Sequence, residues 1–173
     1  MAATAEMPYF IKPSQRLNSA EKNAAYAEAH AAITANLTGE TNVVLKMATI
    51  NCLIKTYIPY AYWVGFYIVE NGRLIVGPYQ GTLGCLSIDF SRGVCGKAAR
   101  TEETQIVPRT HDLTEGAEHI SCDPNSQSEI VVPVKDVAGK LIAVFDVDAT
   151  LPDCFDATDK LWLERIIAEQ FAR

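Results

Sequence analysis

The sequence predicts an α+β domain. A central, mostly antiparallel sheet carries the N- and C-terminal helices on one face, and loops with a short helix enclose a pocket on the other. Three observations lead to this class. Helical patterns stand at both ends of the chain, two hairpin signals lie between them, and the strands "YWVGFYIV" and "KLIAVFDV" are apolar at successive positions. Runs of that kind suit central strands covered on both faces. A length of 173 residues suits one domain, and a hydrophobic content of 49% supplies its core.

Taken in order, residues 1–17 read as an N-terminal extension and 18–173 as the domain. "NSAEKNAAYAEAHAAITANLTGE" is an uninterrupted alanine-rich helix, with Asn18 and Glu21 as a capping box and Gly39 as its end. "TNVVLKMATINCLIKTYI" sets Val43, Val44, Met47, Ile50, Leu53 and Ile54 at helical spacing, makes Cys52 a buried small hydrophobe, and is closed by Pro59. "AYWVGFYIVENGRLIVGPYQG" is a hairpin turning at Asn71-Gly72. A strand, a short helix in "GVCGKAARTEE" and a strand in "TQIVP" follow, and then "RTHDLTEGAEHISCDPNS", a long loop of the kind that often carries function. "QSEIVVPVKDVAGKLIAVFDVDA" is a second hairpin turning near Ala138-Gly139. The closing amphipathic helix has Asp156 as N-cap.

Composition excludes some functions. A net charge of −6, with both signs interspersed, argues against binding nucleic acid or an anionic membrane. "MAATAEMPYFIKPSQRLNS" is not a secretory signal, and no apolar run is long enough to span a bilayer, so a cytoplasmic location is expected. Five cysteines, an odd number in a reducing compartment, do not suggest a disulfide-stapled scaffold.

The middle third carries the chemistry. Cys85, Cys95 and Cys122 all sit in polar, glycine-rich surroundings. Cys95 falls at the start of the short helix, near Arg92 and Lys97, a setting expected to favour the thiolate. Cys122 lies in the long loop, three residues after His119, free to approach Cys85 or Cys95 to the roughly 7 Å Cα separation that a disulfide needs. Any one of the three alone reads as a partly buried structural cysteine; three in one polar stretch read as redox-active. Cys154 is a loop residue without a role. His111 and His119 with Cys95 and Cys122 have some ligand character, but no C-x-x-C pair occurs, and neither a metal site nor a cofactor is predicted.

Carboxylates complete the set. Asp146 and Asp148, two apart in a strand, share a face, and Glu129 opens the preceding strand. Trp63 and Tyr67, four apart, share a face of the first hairpin. Three acids with two aromatic rings make a small pocket suited to an ammonium group.

The segments "YWVGFYIVENGRLIVGPYQG", "CLSIDFSRGVCGKAA", "HISCDPNSQSEIVVPV" and "GKLIAVFDVDA" together resemble the free methionine-(R)-sulfoxide reductases, which are single GAF domains; the resemblance spans roughly residues 18–172. It implies a GAF-like fold and reduction of free methionine (R)-sulfoxide, with thioredoxin as reductant and no cofactor. By the same resemblance Cys122 is the attacking thiol, Cys95 and Cys85 form disulfides with it, and Trp63, Tyr67, Glu129, Asp146 and Asp148 line the substrate pocket. Glu129 is the expected proton donor. A homodimer is left open. The alternative function is a non-catalytic GAF sensor of a small ligand or of redox state, with a metal-binding regulator third.

Overall fold

The computed structural model describes residues 14–113 and 122–172. The chain runs α1 (Ser19–Leu37), α2 (Val43–Tyr57), β1 (Trp63–Glu70), β2 (Arg73–Gln80), β3 (Ser87–Asp89), α3 (Gly93–Thr101), β4 (Gln105–Val107), a 3-10 turn at Thr110–Asp112, β5 (Ser128–Lys135), β6 (Leu141–Ala149) and α4 (Ala157–Phe171). The sheet order is β3-β2-β1-β6-β5-β4, and every neighbouring pair is antiparallel. β1 and β6, whose sequences are apolar at successive positions, occupy the centre, as that pattern predicts.

Local signals set the element ends. Asn18 accepts from Ala20 N and Glu21 N, while the Glu21 carboxylate accepts from Asn18 N, so the capping box forms. Asp156 caps α4 in the same reciprocal way with Asp159. Asn71 and Gly72 both take positive φ (49° and 77°), the geometry that matches a two-residue turn to the twist of β1 and β2.

One face of the sheet buries α1, α2 and α4. Tyr26, Ile33, Met47, Ile50, Ile54, Leu163, Ile166 and Phe171 meet Phe66, Ile130, Val132 and Phe145 from the strands. Phe66 and Phe145 sit with ring centroids 4.6 Å apart at the middle of this layer. Each large side chain buried here contributes about 1.5–3 kcal/mol relative to exposure. At the start of the described chain, Ser14 is buried and donates its hydroxyl to Tyr60 O at 2.8 Å.

The α2 stripe is rotated from the sequence expectation. Met47, Ile50, Asn51 and Ile54 face the core, while Val43 and Val44 are exposed, as is Cys52. Asn51 can occupy a core position because its Nδ2 donates to Pro78 O at 2.7 Å. Cys52, about 100° further round the helix, then points away from the sheet. Cys154, expected in a loop, lies in the segment before α4 and is buried in the helical layer.

On the opposite face the one α-helix among the described residues is α3. Its residues Val94, Cys95, Ala98 and Ala99 pack on Trp63, Tyr67, Leu74, Ile88, Val131 and Val144. One short helix cannot cover a six-stranded sheet, and the space beside it is the pocket described next.

Candidate active site

Strand register assembles the site. Trp63 lies opposite Asp148, and Asp148 opposite Glu129; two residues along, Gly65 lies opposite Asp146, and Asp146 opposite Val131. Alternation along a strand puts both rows on the α3 face. Trp63 stacks on Tyr67 (5.8 Å between centroids) and on Tyr79 (5.3 Å). Gly65 makes room for this stack. A Cβ there would sit 2.5 Å from both Trp63 Cη2 and Tyr79 Cβ. Trp63, Tyr67, Cys95, Cys122, Glu129, Asp146 and Asp148 all line one pocket, together with Tyr62, Gly84, Val94, Asp123 and Ser126.

Cys95 is not the exposed thiolate that its helix position suggests. It is 4% exposed, and its Sγ lies 3.5 Å from Asp146 Oδ2 and 3.9 Å from Glu129 Oε1. Burial pushes its thiol well up, and the neighbouring Asp146, Glu129 and Asp148 push it further. Arg92 and Lys97, the cations near it in sequence, are on the exposed side of the helix start. Burial among carboxyl groups therefore outweighs the partial charge of the helix end, and the S–H faces the Asp146 and Glu129 oxygens as a donor.

The three acids favour their protonated forms. Burial raises Glu129 well above the usual range, with Asp146 and Asp148 adding to it; Asp146 is raised by burial and then by Asp148. Burial also raises Asp148, to about 7; the Ser126 hydroxyl that donates to its Oδ1 pulls it down, and Asp123 pushes it up. Asp146 is 5% exposed, and its Oδ1 has no hydrogen-bond partner among the described residues. No lysine or arginine is among the described lining residues. A pocket of this kind attracts a positively charged guest. The Cys95 sulfur and carboxylate oxygens of Glu129 and Asp146 lie within 4.8 Å of one another, a donor set that could also hold a metal cation.

A disulfide closes the mouth. It joins Cys85, between β2 and β3, to Cys122, ahead of β5, with a Cα separation of 5.3 Å, and Cys95 remains a free thiol. Beside it, Asp123 accepts from Tyr62 OH at 2.9 Å and from the Thr82 hydroxyl, and Trp63 Nε1 donates to Thr82 O at 3.0 Å. Sequence reasoning missed Tyr62, Thr82, Asp123 and Ser126. Only Asp123 had a local signal: in "CDPNS" its Oδ1 accepts from Asn125 N at 2.8 Å, an Asx turn. His111 is exposed in the 3-10 turn and does not line the pocket, while His119 lies outside the described residues.

Residues 55–172 match the GAF domain family. The chain is 41% identical over 135 residues to the free methionine-R-sulfoxide reductase of Saccharomyces cerevisiae, covering 74% of this chain and 73% of that one. It is 34% identical over 144 residues to the Escherichia coli protein of the same name, covering 83% and 85%. Among solved structures, the free methionine-R-sulfoxide reductase of Neisseria meningitidis in complex with its substrate superposes with a TM-score of 0.79 at 34% identity, covering 91% of this chain and 94% of that one. No helix among the described residues is long and apolar enough to cross a membrane.

Proposed function

This chain belongs to the free methionine-R-sulfoxide reductase family of GAF domains, and we propose that it reduces free methionine (R)-sulfoxide to methionine with its own thiols. The observation that carries the reading is the disulfide between Cys85 and Cys122 at the mouth of a pocket floored by Glu129, Asp146 and Asp148.

The substrate's α-ammonium enters among the carboxylates, with Asp146 and Asp148 as its main partners. Its charge offsets the burial that chiefly raises both groups, and it gives Asp146 Oδ1 a donor. The Trp63 and Tyr67 rings pack against the methyl end. Glu129, whose proton is held more tightly than usual by burial and then by Asp146 and Asp148, donates to the sulfoxide oxygen. The Cys122 thiolate attacks the sulfoxide sulfur, the oxygen passes to Cys122, and methionine leaves with its sulfur reduced by two electrons. Cys122 is left as a sulfenic acid. Cys85 then attacks the Cys122 sulfur, the S–O bond breaks, and the hydroxyl leaves with the Cys85 proton as water. Cys95, kept as a thiol, stays out of this first disulfide and bonds the pocket acids. An external dithiol, thioredoxin in this reading, restores both thiols by exchange. The site needs no cofactor for these steps.

Purified protein incubated with methionine (R)-sulfoxide and dithiothreitol should yield methionine, and Cys122→Ser should yield none. Substantial turnover by that variant would remove Cys122 from the attack. Blocking the amino group, as in N-acetyl-methionine sulfoxide, removes the charge that the acids recognise and should lower kcat/KM about a hundredfold. Equal rates on both compounds would rule out an ammonium-selective pocket, and binding without any methionine would favour a sensor.

A further inference from the structure

The two cysteines of the disulfide belong to separate segments. Cys85 lies in the connection from β2 to β3, and Cys122 in the approach to β5. A sulfenic acid on Cys122 is resolved only while the Cys85 segment stays beside it, and at that stage no covalent bond joins them. Asp123, next to Cys122, makes a noncovalent join. One carboxylate oxygen accepts from the hydroxyl of Thr82, three residues before Cys85, and from Tyr62 OH at 2.9 Å, just ahead of β1. The other oxygen accepts from Asn125 N at 2.8 Å and Asn125 Nδ2 at 2.9 Å, which fixes the carboxylate relative to its own segment. Thr82 is further held by Trp63 Nε1 through its carbonyl.

Asp123 differs from the three acids below it. Burial raises it, but the hydrogen bonds from Thr82, Asn125 and Tyr62 outweigh burial and hold it below the ordinary carboxylate range. It is thus an anion suited to structural anchoring at neutral pH, where charge-assisted hydrogen bonds are strongest.

We propose that Asp123 is a positioning residue for the resolving step: through Thr82 it holds the Cys85 segment against the Cys122 segment, so that the Cys85 sulfur meets the oxidised Cys122 sulfur. This rests on the reading of Cys122 as the oxidised thiol, and it adds a residue that does not touch the reacting atoms. In that step the S–S bond forms, the Cys122 S–O bond breaks, and hydroxyl and thiol proton leave as water. The clamp raises the effective concentration of one thiol at the other and leaves the intrinsic chemistry unchanged.

The test uses two ways of making the sulfenic acid on the reduced, full-length protein. One is a single turnover with methionine (R)-sulfoxide and no external reductant. The other is stoichiometric hydrogen peroxide, which oxidises accessible thiols without any sulfoxide, used on a Cys52→Ser background because Cys52 is exposed. Disulfide formation is followed by differential alkylation and the sulfenic acid by dimedone capture, both read by mass spectrometry. In Asp123→Asn and in Thr82→Val, disulfide formation should slow about tenfold in both arms, the scale of one lost charge-assisted hydrogen bond. The dimedone adduct on Cys122 should accumulate in both variants, and in Thr82→Val, which leaves the pocket-lining side chains in place, the first methionine should appear at the wild-type rate within about twofold. Thr82→Ser, which keeps the hydroxyl, should behave as wild type. Wild-type disulfide rates in both variants would overturn the proposal. So would a first methionine slowed in proportion in Thr82→Val, because the clamp would then act on the chemical step. If the wild-type protein releases no methionine but the peroxide arm behaves as stated, the reading of the substrate fails and the clamp stands.

Discussion

Each face of the sheet buries carboxylates, and the two faces treat them differently. On the helical face Asp159 is fully buried. It accepts from Lys22 Nζ at 2.6 Å, Tyr26 OH at 2.9 Å, Tyr60 OH at 2.6 Å and Asp156 N at 2.8 Å. Lys22 also bonds Cys154 O and Asp156, so α1 and α4 are tied through one satisfied cation. On the pocket face Asp146 and Asp148 stand two apart with Glu129 opposite Asp148, no lysine or arginine lines the space among the described residues, and one Asp146 oxygen has no partner there. The first cluster is complete within the fold. The second becomes complete when a cation or a proton arrives, which is the arrangement a binding and catalytic site needs.

The comparison is broken most forcefully at Lys22. Lys22→Met strands the buried Asp159 without its cation and should cost about 3–5 kcal/mol in urea unfolding, with activity per folded molecule retained. A loss below about 1 kcal/mol would mean that the helical cluster is as tolerant of an unsatisfied charge as the pocket is.

The reverse substitution on the pocket face should spare stability and remove chemistry. Glu129→Gln should slow the single-turnover rate about a hundredfold or more while shifting stability by no more than about 1 kcal/mol. An unchanged rate would assign the proton to another group.

A pH series sharpens the contrast further. Burial raises Asp148 from the ordinary carboxyl value of 3.8 to about 7 in the fold. The folded state therefore holds this proton more tightly than the unfolded chain. Its contribution to stability is full below the unfolded value and is lost as pH rises from about 4 through about 7. Thermal unfolding of the wild-type protein should decline across that window, and Asp148→Asn should flatten the decline. The same slope in both would show that Asp148 does not couple folding to protons.

The smallest effect belongs to a cysteine outside both clusters. Cys52→Ser should leave stability within about 0.5 kcal/mol and turnover unchanged, because Cys52 is exposed on α2. A large loss would place Cys52 in contacts that the described residues lack.

Much of this was legible without coordinates because its causes are local. The capping box at Asn18, the N-cap at Asp156, the Asn71-Gly72 turn and the central placement of β1 and β6 follow from propensity, hydrogen-bonding residues and patterning within a few positions. The pocket acids were legible for a related reason. Charge at Asp146 inside an apolar strand is a local inconsistency, and such inconsistencies gather at functional sites. The α2 stripe was misread because Asn51 has no apolar character; its burial depends on Pro78 O, a partner on another element.

The sequence by itself determined the element order, the strand faces and the chemical inventory of thiols, acids and rings, since these depend on residue type and on periodicities of two and about 3.6. Tertiary structure decided which thiol meets which. Cys95 has a cationic neighbourhood along the chain and a buried, carboxyl-lined one in space, and the carboxyl oxygens at 3.5 Å and 3.9 Å govern its proton. It also decided that Asp123 reaches Thr82 and Tyr62 across 41 and 61 positions of sequence. Electrostatic and hydrogen-bonding energies depend on distance through the folded molecule, and sequence separation carries no information about that distance once the chain has turned back on itself.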